Sequence, residues 1–554
     1  MEQFRLLLAV VLCVAVFAIW SFFFSPPPKP IPDQAALTAE TAAKPEEAPK
    51  MQEPDKKADV VSQPGVQMAM DRPAKTYSVD TPFFTAQFSD RGAALTHFTL
   101  KNYKETNKPD SPLKEMVSPE AFSGILQSGT ANKSIKGMDE ALYDAENAQP
   151  SVTVSDKETK LSFLWVSPEG IRVDKVFTFY PDKPFFKYVV GLTNTSNINF
   201  KDGLILSMTD HYGAKKKMGF EGPAAYLGKA LETVDTEKLK EKDSDLSGKI
   251  TWVASLDRYF MKAIIPDAQQ QNGHLQSKKN ADGTVRILFT GDEKIIKPGE
   301  KSEFAFDIYI GSKRLETLKT IGKKLDAAVD FGWFDIIAKF CLLVMNMIHK
   351  LIPNYGIAVI LLTVLIKLLL WPLGNKSYKA MGAMKKLQPE INKIREKYEH
   401  DKTRMNQEIM ALYKTYKVNP MSGCLPLLAQ MPIFIGLYRM LYESVELRHA
   451  PFYGWITDLS APDRLFNFSF SIWGIDPPTG IPVLTLIMGV TMFLQQKMSP
   501  PAGGDPMQAK MFLYFMPVMM TLIFVNFPAG LVLYWLVNNI ISIAQQYYTQ
   551  KSNS

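Results

Sequence analysis

The stretch YGIAVILLTVLIKLLLWPL, Tyr355–Leu373, holds 19 residues and a single charge, Lys367. As a helix it reaches about 28 Å, close to the ~30 Å of a bilayer's hydrocarbon core. A lysine at that depth costs on the order of 2.5–3.5 kcal/mol on insertion scales, so it either reaches a headgroup or faces a wet cavity. Lys367 lies five residues before Pro372, about 8 Å along a helix, so snorkelling is within reach. The stretch reads as a membrane span, and its lysine needs an explanation from the rest of the chain.

Downstream, Leu425–Tyr442, Ile481–Gln496, Ala509–Val525 and Gly530–Tyr548 are further apolar candidates. The last two are parted only by Asn526-Phe527-Pro528-Ala529, which forces an antiparallel pair. At the N-terminus Leu6–Phe24 gives 19 uncharged residues, an anchor rather than a cleaved signal because no small-residue cleavage site follows. Six spans are expected, five of them forming the core. Residues 375–424 carry eleven Lys or Arg against five Asp or Glu, a net of +6 out of +7 for all 554 residues. By the positive-inside rule this loop is cytoplasmic and both termini are inside. Met381, Met384, Leu387, Ile391, Ile394 and Tyr398 repeat at helical spacing, as do Met405, Ile409, Leu412 and Tyr416. A helical hairpin over 375–424 follows, with Pro389 starting or kinking a helix. Its charge suits anionic lipid, ribosomal RNA or a targeting factor, and charge alone does not choose among them.

Between anchor and bundle the pattern changes. Residues 26–76 contain ten prolines among polar residues, a disordered tether. From 77 to 314 apolar residues alternate, as in Leu161, Phe163, Trp165; Phe186, Tyr188, Val190, Leu192; and Phe304, Phe306, Ile308, Ile310. That period predicts a large antiparallel β-sandwich on the outer side. Residues 315–350 read as a connector and an amphipathic helix lying in the interface, with Asp335, Lys339 and Asn346 near one side. The segments 351–374 and 425–548 then hold the second span and the third to sixth, and 549–554 a cytoplasmic tail. The mean hydropathy of −0.07 thus averages a bundle against a sandwich.

Several chemistries are disfavoured. Cys13, Cys341 and Cys424 all lie in or beside apolar segments, so no disulfide framework supports the sandwich. The six histidines have no helical metal spacing. Gly222–Lys229 resembles a phosphate loop but has one residue too many between its glycines and ends in Ala230. No cofactor or metal is expected, and the chain does not read as an enzyme.

Polar residues within the spans decide how Lys367 is read. Tyr534, Asn538, Ser542 and Gln545 share one helical face, with Trp535, Asn539 and Gln546 beside it. Under the expected topology they reach the inner-leaflet depth of Lys367 and of Thr363 one turn above, and Gln430 and Gln495 enter at the same depth. A wet cavity open to the cytoplasm follows, closed outward by apolar half-spans. Met488, Met492, Met498, Met507, Met511, Met516, Met519 and Met520 crowd two neighbouring spans. Methionine suits a surface that accepts varied apolar sequences, though plain membrane packing explains it equally well.

Lys417-Val-Asn-Pro420, Gly423-Cys-Leu-Pro426, Gln430-Met-Pro-Ile-Phe434, Gln496-Lys-Met-Ser-Pro500, Asp505-Pro-Met507 and Pro528-Ala-Gly-Leu-Val-Leu-Tyr534 together resemble the YidC/Oxa/Alb family of membrane-protein insertases. The resemblance spans 331–548, and the anchor, tether and periplasmic sandwich match the Gram-negative form. It implies an inner-membrane insertase and chaperone that acts alone or beside the Sec translocon on nascent membrane proteins. It also implies a groove whose one positive charge, often arginine, falls here on Lys367, with Thr363 and Trp535 at further groove positions. Met431 and Phe434 match client-contacting positions, and Met516 and Met520 are expected to join them. Lysine keeps the charge and loses the planar fork. The rival reading is a small-solute transporter with a periplasmic binding domain, which broken helices or inverted repeats would favour.

Overall fold

The computed structural model describes residues 72–118, 124–146, 149–212, 219–418, 425–466, 480–499 and 506–551. The anchor, the tether up to residue 71, Cys13, Cys424 and parts of four of the quoted motifs lie outside the described residues.

The alternating segment folds as two packed sheets. One has thirteen strands, and its centre runs Ser244–Leu256, Phe260–Pro266, Lys301–Ser312, Phe185–Asn194 and Ile171–Phe179, all antiparallel. The other has five strands and includes one parallel pair, Ser78–Asp80 with Ser151–Thr153. Phenylalanines join them. Phe84 and Phe98 stack at 4.4 Å on the small sheet, and Phe84 meets Phe186 of the large sheet at 6.1 Å. Phe88 approaches Phe177 at 4.5 Å. Burying these rings is the main apolar gain of the sandwich. Gly222–Leu227 and Ala230–Thr233 pair across a two-residue turn, with Gly228 at φ 58°. The glycine-bearing segment is therefore a strand and a hairpin turn, with no helix following to receive a phosphate.

The central strands are buried on both faces. Phe260–Pro266 is buried throughout, and Trp252, Ala254, Leu256, Met261 and Ile265 pack away from the sandwich, onto the connector. The connector begins with helix α1, Leu315–Ile321, whose Leu318 is fully buried. Trp252 Nε1 donates to Lys324 O at 3.1 Å. Such two-sided burial explains why Phe260–Pro266 and the end of Ser244–Leu256 are buried continuously, while Phe185–Asn194 and the start of Lys301–Ser312 keep the alternation.

Among the described residues seven longer helices follow. α2 is Asp335–Leu351, with Ile336, Phe340, Leu343, Met347 and Leu351 exposed along it and an Asp335–Lys339 ion pair of 2.8 Å. α3 is Tyr355–Lys397, capped by Asn354 Oδ1, which accepts from Ile357 N. α4 is Lys402–Thr415, capped by Asp401. α5 is Leu425–Glu443, α6 Val483–Met498, α7 Pro506–Phe524 and α8 Ala529–Lys551. A helix thus covers each downstream apolar run. Among the described residues α3 alone is both long and apolar enough to cross a bilayer by length and composition, while α6 and 513–524 are shorter apolar helices.

α3 extends beyond the apolar stretch. It passes through Pro372 and Pro389 without ending, so the apolar stretch and the first arm of the basic hairpin are a single 43-residue helix. Each proline removes one backbone donor, and the turns on either side carry the helix across. α4 returns along its end, where Leu387, Ile391 and Tyr413 form a small separate core.

Candidate functional site

A cavity of about 400 Å³ opens between α3, α5, α6 and α8, within the range of a binding site. Lys367 stands in its wall at 9% exposure. Its Nζ donates to Ser542 Oγ at 2.8 Å, and Ser542 Oγ donates to Asn538 O at 2.7 Å. Among the described residues no Asp or Glu forms an ion pair with Lys367. One of its three donors is engaged, and the others remain for whatever enters.

The polar face of α8 turns inward. Tyr534, Asn539, Ser542, Gln545 and Gln546 are buried. Asn538 Oδ1 accepts from Gln430 Nε2 at 3.1 Å, tying α5 to α8. Asn539 Nδ2 donates to Thr491 Oγ1 at 3.3 Å, tying α6. Toward the far end Gln545 Nε2 donates to Trp371 O and Asn375 Oδ1 at 3.0 and 2.9 Å, and Thr549 Oγ1 donates to Asn375 Oδ1 at 3.2 Å. Gly374 permits this approach, because a Cβ there would lie 2.8 Å from Gln545 Nε2. The apolar side of the cavity comes from Met431, Phe434 and Met492, with Phe434 edge-on to Trp535 at 4.9 Å.

Of the residues singled out from sequence, Lys367, Gln430, Met431, Phe434, Tyr534, Trp535, Asn538 and Ser542 line this one cavity. Thr363 does not. It is buried with its hydroxyl donating to Val359 O at 2.7 Å, back into its own helix. Met516 and Met520 are half-buried on α7 and stand off the wall. Gly374, Ser377, Tyr378 and Met381 line the cavity and were missed. Their signal was present: 367, 370, 374, 377 and 381 step by three and four, a single face once α3 is carried through Pro372.

A second cavity, about 550 Å³, lies where the large sheet meets the segment after α5. Its carboxylates are engaged locally. Asp210 pairs with Lys262 at 2.6 Å and accepts from Ser255, while Glu115 accepts from the amides of Phe98 and Val117.

The family model described as the 60Kd inner membrane protein matches residues 347–554, and the one described as the YidC periplasmic domain matches 76–344. A membrane protein insertase YidC of Syntrophus aciditrophicus is 38% identical, with 99% of each chain covered. That of Syntrophobacter fumaroxidans is 39% identical, again over 99% of each. The chain belongs to the YidC family. It is accordingly an inner-membrane protein with a periplasmic domain, the two-sheet sandwich, and the cavity lies in the part matched by the inner-membrane model. A solved YidC insertase structure with its first transmembrane domain resolved aligns over 86% of this chain and 93% of that one, at 19% identity and a TM-score of 0.37, too low to inform geometry.

Proposed function

We propose that this chain is a YidC-type insertase and chaperone for nascent inner-membrane proteins, and that the cavity beside Lys367 is its client groove. The observation that carries the reading is Lys367, the one cation lining the cavity among the described residues, in a polar wall facing an apolar one. Lys367 draws acidic or polar client segments partway into the bilayer, the amides of α8 replace their water, and Met431 and Phe434 receive the apolar part. No bond is made or broken, so the work is transfer between solvents rather than enzymatic catalysis. Thr363 supports α3 from within, and Met516 and Met520 meet clients only after they leave the cavity laterally.

The topology belongs to the same proposal. α3, α5, α6, α7 and α8, with the Leu6–Phe24 anchor, make six spans with both termini inside, and α2 lies in the outer interface on its exposed apolar face. The basic hairpin of α3 and α4 faces the cytoplasm, where anionic lipid, ribosome or a targeting factor meets it, and the Sec translocon is a partner for larger clients. Depletion tests the function. Single- and double-span clients should lose protease-protected insertion when the chain is removed and regain it on re-expression; normal insertion without it would refute the proposal.

A further inference from the structure

The turn Asp257-Arg258-Tyr259 joins two central strands of the large sheet, Ser244–Leu256 and Phe260–Pro266. Asp257 Oδ1 accepts from the amides of Tyr259 and Phe260 at 2.7 and 2.6 Å, and its own amide donates to Phe260 O at 3.0 Å. These bonds hold the turn, so Arg258 is presented from a fixed base. Its guanidinium donates through Nε and Nη2 to Tyr442 O at 2.8 and 2.6 Å and lies 3.7 Å from the centre of the Tyr442 ring. Tyr442 is next to last in α5. Its carbonyl is one that a helix cannot satisfy internally, and a cation there complements the negative end of the helix dipole.

The other end of α5 carries Gln430, Met431 and Phe434 into the cavity. There, among the described residues, α5 meets α8 through Gln430, which hydrogen-bonds Asn538 and the Tyr534 hydroxyl, and through Phe434, which contacts the Tyr534 and Trp535 rings. α3 and α8 are joined by Lys367–Ser542, both Gln545 bonds and Thr549–Asn375. Pro432 inside α5 removes one backbone donor between its two ends. Further contacts, Arg448 Nη2 to Lys104 O at 2.7 Å and Asn107 Nδ2 to Thr457 Oγ1 at 3.0 Å, fasten the sheets to the segment after α5.

We propose that Arg258 is a positioning residue for the groove: by capping the outer end of α5 from the periplasmic domain, it sets how closely α5 approaches α8 at the cavity. The inference rests on the groove reading, and its test has a readout that needs no client. In a full-length chain lacking the native cysteines, Phe434→Cys and Trp535→Cys report that approach through their rate of disulfide formation. Arg258→Ala should slow it about tenfold or more, since it loses both charged hydrogen bonds to Tyr442 O and the ring contact, and lower client insertion in parallel. Arg258→Lys, which keeps the charge without the fork or the stacking, should fall between. Limited proteolysis of the periplasmic domain should be unchanged in both. An unaltered disulfide rate in both variants would overturn the proposal, even if insertion fell. If Arg258→Ala unfolds the sheets, Arg258→Lys and Tyr442→Leu decide: the latter removes the stacked ring, keeps the carbonyl and should slow the disulfide partially. Should the unsubstituted chain insert no client, the groove reading fails while the disulfide comparison still decides the role of Arg258.

Discussion

Lys367 was conspicuous in sequence because a buried charge is expensive and therefore rare in an apolar helix. Its partner was less so: the polar stripe of α8 announced an inward face, but the Ser542 bond is a contact across 175 residues. Lys367→Ala or Lys367→Glu should lower insertion of clients with acidic translocated segments about tenfold or more, the scale of one charged interaction out of water, while Lys367→Arg keeps it. Pulse-labelled protease protection measures this. Arg258 gave no signal, since nothing local distinguishes it from any other turn arginine. Lys175 was equally silent. It is fully buried between Gly92 O at 2.6 Å and Met138 O at 3.1 Å, and burial pulls its pKa from 10.5 to about 7. The unfolded chain therefore holds more protons between about 7 and 10.5, so stability rises with pH across that window and is flat below it. Lys175→Met should remove this rise in denaturant titrations of the periplasmic domain within the intact chain, leaving Lys175 without influence if the slope persists.

At the scale of elements, hydropathy located α3, α5, α6, α7 and α8, and alternation located the long strands, because each pattern reports which face meets which solvent. Boundaries set by prolines were less legible. The apolar stretch ends at Leu373, just past Pro372, and Pro389 reads as the start or kink of a helix, yet α3 runs on through both prolines, and four cavity residues were missed with it. The close approach of α6 to α7 was also hidden, since it depends on a glycine meeting a side chain far along the chain. A Cβ on Gly489 would sit 2.2 Å from Thr521 Oγ1. Gly489→Val should push these helices apart and destabilise the bundle by about 1–3 kcal/mol, the usual penalty of overpacking. Thermal unfolding in detergent should show a lower midpoint, and an unchanged one would mean that the helix pair relaxes freely.

For the whole molecule, the division into membrane bundle and outer sandwich follows from composition, while the order of thirteen strands does not, because their pairings are non-local. The same holds for the junction, where Trp252 and Leu256 turn a second face of the sheet toward the connector and the bundle. Through that junction, under the proposal for Arg258, the periplasmic domain acts on one wall of the groove. The central claim is that clients enter the cavity beside Lys367. Photocrosslinkers placed at Met431, Phe434 and Trp535, with Leu369 as a control on the outer face of α3 at 76% exposure, test it against stalled nascent chains. Adducts from the three cavity positions, with little from Leu369, are the predicted result; adducts absent from the cavity positions, or no stronger there than at Leu369, would contradict it.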